Sequence, residues 1–285
     1  MNTRKLKKIC IKGKPILLLA PLFFFASPAH AGFYAYGTGQ TTCTASGCNS
    51  QNANVNAKVT FDIISSDQMI VTLTNLETNI VSVGQDISSL FFNVNNASST
   101  LDLSKATVTI SGQEVNVTQN AYGTGGTASS VGTLNATVGY TGTSITTSNE
   151  TKATHWSKDK YGLNGVTPIA KNQMFLNDLN SGGAPAQTIL GPASNGNYGN
   201  MYSSVNSSIY GNGPHNPFIQ YQAKFKITTA PGLLANAQVN NVQIGFGTAA
   251  GCYVPTHKVP EPGMLSLFAL GAAALGFSRR KSGHT

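Results

Sequence analysis

Acidic side chains are the residues of this chain that could carry out hydrolysis, because a glycosidase needs two carboxylates placed around the scissile bond. Nothing in their spacing sets one pair apart, and a carboxylate in a strand or turn is the ordinary interpretation of each. Between residues 32 and 258 the candidates are Asp62, Asp67, Glu77, Asp86, Asp102, Glu114, Glu150, Asp159 and Asp178.

Histidines are the next candidates for acid–base or metal chemistry, and residues 32–258 contain His155, His215 and His257. No H-E-x-x-H, G-x-S-x-G or P-loop pattern occurs in the sequence. His215 lies between Pro214 and Asn216-Pro217, a turn-like setting that favours a structural role. The sequence therefore predicts no catalytic residue, no metal site and no cofactor.

Cysteines offer redox chemistry instead. Cys43 and Cys48 are separated by Thr-Ala-Ser-Gly, a small flexible loop that would let them pair. We favour a Cys43–Cys48 disulfide, and the alternative joins either of them to Cys252. A zinc site is disfavoured, because a second C-x-x-C or a paired histidine is missing.

The C-terminal segment has three parts in a fixed order. Val259-Pro260-Glu261-Pro262 comes first, and the apolar run from Met264 to Phe277 follows it. The third part is the basic cluster Arg279, Arg280 and Lys281. The apolar run would be about 21 Å long as a helix, against a hydrocarbon core of about 30 Å. Snorkelling basic side chains can rescue a short span, and they place its C-terminal end in the cytoplasm. The alternative is a buried helix of the folded domain.

Residues 259–281 resemble the PEP-CTERM sorting signal of Gram-negative bacteria through these three parts. The resemblance implies processing by an exosortase, a membrane-embedded cysteine enzyme, with Pro260-Glu261-Pro262 as the recognition element. It also implies an exported protein, held briefly in the inner membrane by its C-terminal helix. Members of this group typically accompany the production of exopolysaccharide or biofilm matrix.

Residues 1–31 have the pattern of a secretory signal peptide. A basic region that contains Arg4 and Lys14 precedes an apolar stretch from Ile16 to Ala26. Ala29 and Ala31 then provide the small side chains that signal peptidase requires, which predicts cleavage before Gly32. An uncleaved N-terminal anchor is the alternative.

The net charge of +8 comes from the two terminal segments. Residues 32–258 contain nine lysines, no arginine and nine acidic residues, so their formal charge is zero. A basic surface for nucleic acid is therefore not expected.

Alternating apolar residues predict an all-β domain over residues 32–258, with short strands and Gly/Pro turns that favour an antiparallel β-sandwich. One hairpin is predicted from 57–63 and 69–74, and a second from 106–110 and 114–118 around a turn at 111–113. Further strands are expected at 89–94, 218–227 and 239–246, and a short helix at 171–179. Residues 119–150 and 195–213 are rich in Gly, Ser, Thr or Asn and are expected to form long loops.

Three functions remain open for this domain. A structural or adhesive component of the exopolysaccharide or biofilm matrix is favoured. The alternatives are a carbohydrate-binding module and a secreted hydrolase. Carbohydrate binding would be favoured if Trp156, Tyr161 and the loop from Tyr198 to Tyr210 formed an exposed aromatic platform.

Overall fold

The computed structural model describes residues 32–43, 53–96, 101–140, 154–161, 163, 167–179, 185–211, 213–249 and 251–260. These residues form mainly β-strands, as the alternating sequence pattern predicts. In chain order the strands are β1 Gly32–Gly37, β2 Thr41–Thr42, β3 Asn54–Val55, β4 Ala57–Ile63, β5 Gln68–Asn75, β6 Ile87–Asn95, β7 Thr107–Gln119, β8 Gly126–Tyr140, β9 Ser157–Lys158, β10 Gln173–Asn177, β11 Ile189–Leu190, β12 Met201–Tyr202, β13 Phe218–Thr228, β14 Gln238–Phe246, β15 Tyr253–Pro255 and β16 His257–Lys258.

Helical structure is limited to short segments. Helix α1 spans Ser207–Tyr210, and its first turn is capped by the Asn206 side chain, which accepts a hydrogen bond from the Ser208 amide. The 3-10 turns are Val83–Gln85, Leu103–Lys105 and Gly213–His215. None of the helices in the described part of the chain could span a membrane. The predicted C-terminal membrane helix, 264–277, lies outside the described residues.

The hairpin predicted from 57–63 and 69–74 is confirmed as β4 and β5. Val59 lies opposite Leu73, and Phe61 lies opposite Val71. These side chains are fully buried, because every second residue of a strand points to the same face of the sheet. Their alternation in the sequence is the signature of this packing.

The arrangement of the strands is a β-barrel, and the predicted two-layered sandwich is wrong. One 14-stranded sheet has the order β15-β14-β6-β10-β9-β8-β7-β13-β5-β4-β1-β16, with β11 pairing β13 and β6, and β12 pairing β8. The strands at its two ends, β15 and β16, follow one another in the chain with only Thr256 between them. The sheet therefore closes on itself. Sandwich and barrel share the same in–out alternation, so the sequence pattern could not separate them.

Three local predictions are also wrong. The predicted turn at 111–113 lies inside the single long strand β7, and the predicted helix at 171–179 contains strand β10. Much of the expected loop at 119–150 is strand β8, which pairs with β7 along most of its length.

The barrel encloses a core of apolar side chains from nearly all of its main strands. Phe61 and Phe92 pack edge to face with ring centroids 4.9 Å apart, and Trp156 packs in the same way on Phe225 at 5.1 Å. A smaller apolar cluster lies under the segment that contains α1, and it includes Val117, Phe218 and Ile209.

Candidate functional site

The C-terminal segment leaves the barrel through strand β16, which is paired with the first strand of the domain. Lys258 lies opposite Tyr36 and His257 lies opposite Gly37 in an antiparallel register. The amide of Val259 then donates a hydrogen bond to the Ala35 carbonyl at 2.8 Å. We call β1 together with β16 and Val259 the terminal ladder.

The residues just before the terminal ladder bind the other side of the barrel. β15 pairs with β14, and both the amide and the hydroxyl of Thr256 donate to the Val242 carbonyl, at 3.2 and 2.9 Å. The segment 253–259 therefore holds β14 on one side and β1 on the other. It closes the sheet immediately before the residues of the predicted sorting motif.

Aromatic side chains of β1 reinforce this closure. The Tyr34 hydroxyl donates to the Ala237 carbonyl at 2.9 Å, and the Tyr36 hydroxyl donates to the Val239 carbonyl. The Lys258 Nζ atom lies 5.3 Å from the centroid of the Tyr34 ring, a cation–π distance. Sequence patterns gave no sign of these contacts, because they join residues about 200 positions apart.

The two ends of the domain leave the barrel in the same direction. In an antiparallel ladder the chain of β16 runs from Gly37 back toward Gly32, and the bond from the Val259 amide to the Ala35 carbonyl continues in this direction. Ala35 is three residues from Gly32, which is about 10 Å of strand. Gly32 is the residue that follows the predicted signal peptide, and Pro260 is the first proline of the predicted sorting motif.

A disulfide ties the same two terminal segments together. The structure joins Cys43 to Cys252, with Cα atoms 6.7 Å apart. This bond corrects the favoured Cys43–Cys48 pairing and corresponds to the alternative derived from the sequence. The physical reason is that the terminal ladder brings residues near both chain ends together, which local cysteine spacing does not reveal. Cys48 lies outside the described residues.

The structure describes only part of the predicted sorting and cleavage sites. Val259 and Pro260 are both exposed and lie at the end of the terminal ladder. Gly32 begins β1. Ala29, Ala31, Glu261, Pro262, Arg279, Arg280 and Lys281 lie outside the described residues.

Trp156 does not meet the condition that was set for carbohydrate binding, an exposed aromatic platform. Trp156 is only 1% exposed, and its indole N–H donates to the Gln187 carbonyl at 2.9 Å. Its ring packs on Phe225 inside the core, so it is unable to contact a ligand at the surface. Tyr161 is at the surface, 36% exposed, with the Lys160 Nζ atom 5.3 Å from its ring centroid.

Two of the candidate carboxylates lie in the interior of the barrel, away from any open cleft. Asp86 and Asp178 are fully buried. Both oxygens of Asp178 and one of Asp86 have no hydrogen-bond partner among the described residues. Burial raises the pKa of both carboxyls well above the ordinary value, because a low-dielectric setting disfavours the ionised form. No carboxylate lines the surface cleft at Gln220 or the one at Lys158.

The three candidate histidines differ in their surroundings. His215 is buried, and its Nδ1 atom lies 2.8 Å from the Pro185 carbonyl, a contact that supports the predicted structural role. Burial lowers the pKa of His155, and His257 is exposed in β16. Within the described ranges, no group of three or more His, Cys, Asp or Glu side chains could hold a metal ion.

The C-terminal segment matches a family model, the PEP-CTERM protein-sorting motif, over residues 258–281. The match begins at Lys258, the last residue of β16, so the sorting signal starts where the barrel ends. The chain thus carries a PEP-CTERM sorting signal, and this signal implies that the protein is exported, linked to the membrane for surface localisation and processed by an exosortase. No curated protein and no solved structure matches the chain.

Proposed function

We propose that this protein is a structural or adhesive component of the extracellular matrix. It reaches the cell surface as a folded barrel that is attached to the membrane. Its signal peptide is removed before Gly32, and its C-terminal helix then anchors it briefly in the inner membrane. The exosortase acts at the Pro260-Glu261-Pro262 motif and frees the barrel. The observation that carries the delivery and processing steps of this proposal is the terminal ladder, because it brings Gly32 and Pro260 to the same end of one strand.

The terminal ladder explains how processing and folding fit together. β1 pairs with β4 on one side and β16 on the other, so the first and last strands of the domain must both be outside the membrane before the barrel closes. With the ladder formed, no spacer separates the barrel from the motif. The enzyme must therefore reach a motif that lies directly against the end of the barrel, or must draw β16 away from β1. β16 has only two paired residues, and its side chains are exposed. Little free energy is therefore needed to separate it from β1.

The matrix role rests on the character of the barrel. Residues 32–258 have no formal net charge, and the chain is poor in charged residues, at 10% against about 25% in typical soluble domains. A disulfide that ties both ends, together with a sheet whose end strands meet, suits a protein that must persist outside the cell. The hydrolase alternative gains no support, since the described clefts lack carboxylates.

The sorting step is tested by removing the chemistry of the motif while leaving the apolar segment intact. Glu261→Ala with Pro262→Ala is expected to leave membrane insertion unchanged and to leave the C-terminal segment uncleaved in cells that carry the exosortase. A Leu-for-Ala shuffle within 264–277 is the matched control, and it is expected to be processed normally because only hydrophobicity matters there. Normal processing of the double variant, judged by intact mass, would refute the sorting step.

The matrix role is tested separately by fractionation. Cells that form a biofilm are expected to retain the processed protein in the washed extracellular matrix, with little in the culture medium. Deleting the gene is expected to weaken the cohesion of that matrix under shear. Recovery of the processed protein entirely in the medium, with unchanged cohesion of the deletion strain, would refute the matrix role while leaving the sorting step intact.

A further inference from the structure

A surface cleft of about 580 Å³ lies where β7 and β8 meet β13 and the loop before β12. Its volume falls within the range of about 300–1,000 Å³ that is usual for ligand sites. The polar side chains that line it are Gln113, Ser130, Asn200 and Gln220, and Tyr198 stands among them. Every side chain in this lining is uncharged.

The floor of the cleft holds a buried amide in a fixed orientation. Gln220 is 3% exposed, and its Nε2 group donates to the Gly199 carbonyl at 2.6 Å and to the Tyr202 hydroxyl at 3.1 Å. These two bonds use both donors of the amide group and fix the way that it faces.

An irregularity of β13 creates this arrangement. The pairing of β13 with β7 shifts between Ile219 and Ala223, where three residues of β13, 220–222, lie opposite the single β7 residue Gln113. Within this bulge Tyr221 has a φ of 68°, a left-handed conformation that is uncommon for an aromatic residue. Bulges re-aim side chains and cluster at functional sites, and this one turns Gln220 into the cleft and Tyr221 toward its rim.

The rim carries an exposed aromatic ring in a fixed position. Tyr198 is 56% exposed, and Tyr221 meets it edge to face with ring centroids 5.6 Å apart at 83°. Such contacts hold an aromatic ring in place. The Tyr198 ring therefore offers a pre-positioned flat apolar surface beside a row of amide and hydroxyl groups.

We propose that this cleft binds a segment of an uncharged polysaccharide. A sugar ring offers an apolar C–H face for the Tyr198 ring and hydroxyl groups that both donate and accept hydrogen bonds. Amides match such hydroxyls, since each amide carries donors and an acceptor. An acidic sugar would need a cation to compensate for its lost hydration, and the lining provides none. This inference rests on the proposed matrix function and names the partner that the protein would hold there.

The test measures binding of the exported, disulfide-bonded protein to defined glycans by isothermal titration calorimetry and affinity electrophoresis. The probes are neutral gluco-, galacto- and manno-oligosaccharides and their soluble polymers, with polygalacturonate as the charged comparison. At least one neutral glycan is expected to bind more tightly than polygalacturonate. Tyr198→Ala is expected to weaken that binding at least tenfold, whereas Tyr198→Phe should retain most of it.

Tyr122→Ala is the matched control, because Tyr122 is 89% exposed in the β7–β8 turn and does not line the cleft. Its binding should equal that of the unmodified protein. Absence of binding to every neutral glycan, tighter binding of polygalacturonate, or equal effects of Tyr198→Ala and Tyr122→Ala would overturn the proposal. The failure is distinguishable from failure of the matrix role: a Tyr198→Ala protein that stays in the washed matrix as well as the unmodified one refutes the cleft and leaves the matrix role standing.

Discussion

Loss of the Cys43–Cys252 disulfide should strongly destabilise the barrel. The bond joins residues separated by 209 positions, so it closes a loop that contains nearly all of the domain. In the chain-entropy treatment, a cross-link over a loop of this size removes enough disorder from the unfolded state to stabilise the fold by about 5 kcal/mol. Cys252→Ser should therefore lower the free energy of unfolding by several kcal/mol, a large part of the 5–15 kcal/mol typical of native domains.

The assay is urea unfolding of the exported protein, followed by tryptophan fluorescence, because Trp156 lies in the core. Cys252→Ser and the reduced unmodified protein should unfold at the same, much lower urea concentration. Cys48→Ser is the matched control and should unfold at the normal concentration. If Cys48→Ser were the destabilising change and Cys252→Ser were silent, or if peptide mapping found Cys43 linked to Cys48, the assigned pairing and the reasoning from it would be refuted.

Three further predictions concern the buried acid, the terminal ladder and the core aromatic residue. Because burial raises the pKa of Asp178, the folded state keeps its proton and stability should fall as pH rises from about 4 toward the raised pKa. Asp178→Asn should flatten this fall, and at pH 8 its urea midpoint should be higher than that of the unmodified protein. Asp102→Asn is the contrast, since hydrogen bonds from Ser104 lower the pKa of Asp102. A lower urea midpoint of Asp178→Asn than of the unmodified protein at pH 8 would contradict the assignment. In hydrogen exchange followed by mass spectrometry, the peptide covering 257–260 should exchange much faster than strand β4, and equal protection would argue against an easily withdrawn β16. Trp156→Ala should cost roughly 3–5 kcal/mol in urea unfolding, whereas a loss below about 0.5 kcal/mol would be the behaviour of a surface residue.

Strands with one apolar face were predictable from the sequence. β4, β5 and β13 alternate apolar and polar residues, since each has one face in the core and the other facing outward. Their positions follow from that pattern alone. The order in which these strands pair was not predictable, because it depends on contacts between distant parts of the chain.

Small residues are the reason that the full lengths of β7 and β8 were not predicted from the sequence. Gly112 indicated a turn, but in the structure it allows close packing in β7: a Cβ atom there would lie 2.7 Å from the Ile219 Cγ2 atom. β8 buries Leu134 and Ala136 in the main core and Ala128 in the smaller apolar cluster, and its many Gly, Ser and Thr residues hide these apolar positions. Glycine inside a strand often marks such a close approach.

Strand β10 was mistaken for a helix for a different reason. Met174 and Leu176 face the main core, while Phe175 is buried on the other face against Phe91 and Tyr253. A strand that is apolar on both faces loses the period of two and is ambiguous by pattern.

The candidate site also has parts that the sequence predicts and parts that it does not. The sorting motif is local in sequence, so its three parts were recognisable in order along the chain. The terminal ladder, the Cys43–Cys252 bond and the cleft at Tyr198 are formed by long-range pairing. Gln220 in particular looked like any other polar strand residue until the bulge of β13 placed it.

The intact mass of the exported protein tests the central claim most directly. In cells that carry the exosortase, we predict a protein that begins at Gly32, retains the Cys43–Cys252 bond and has lost the apolar segment 264–277 with its basic cluster. In cells without the exosortase, the same N-terminus should be found with the whole C-terminal segment still attached. A mass corresponding to residues 32–285 in both strains would contradict the account.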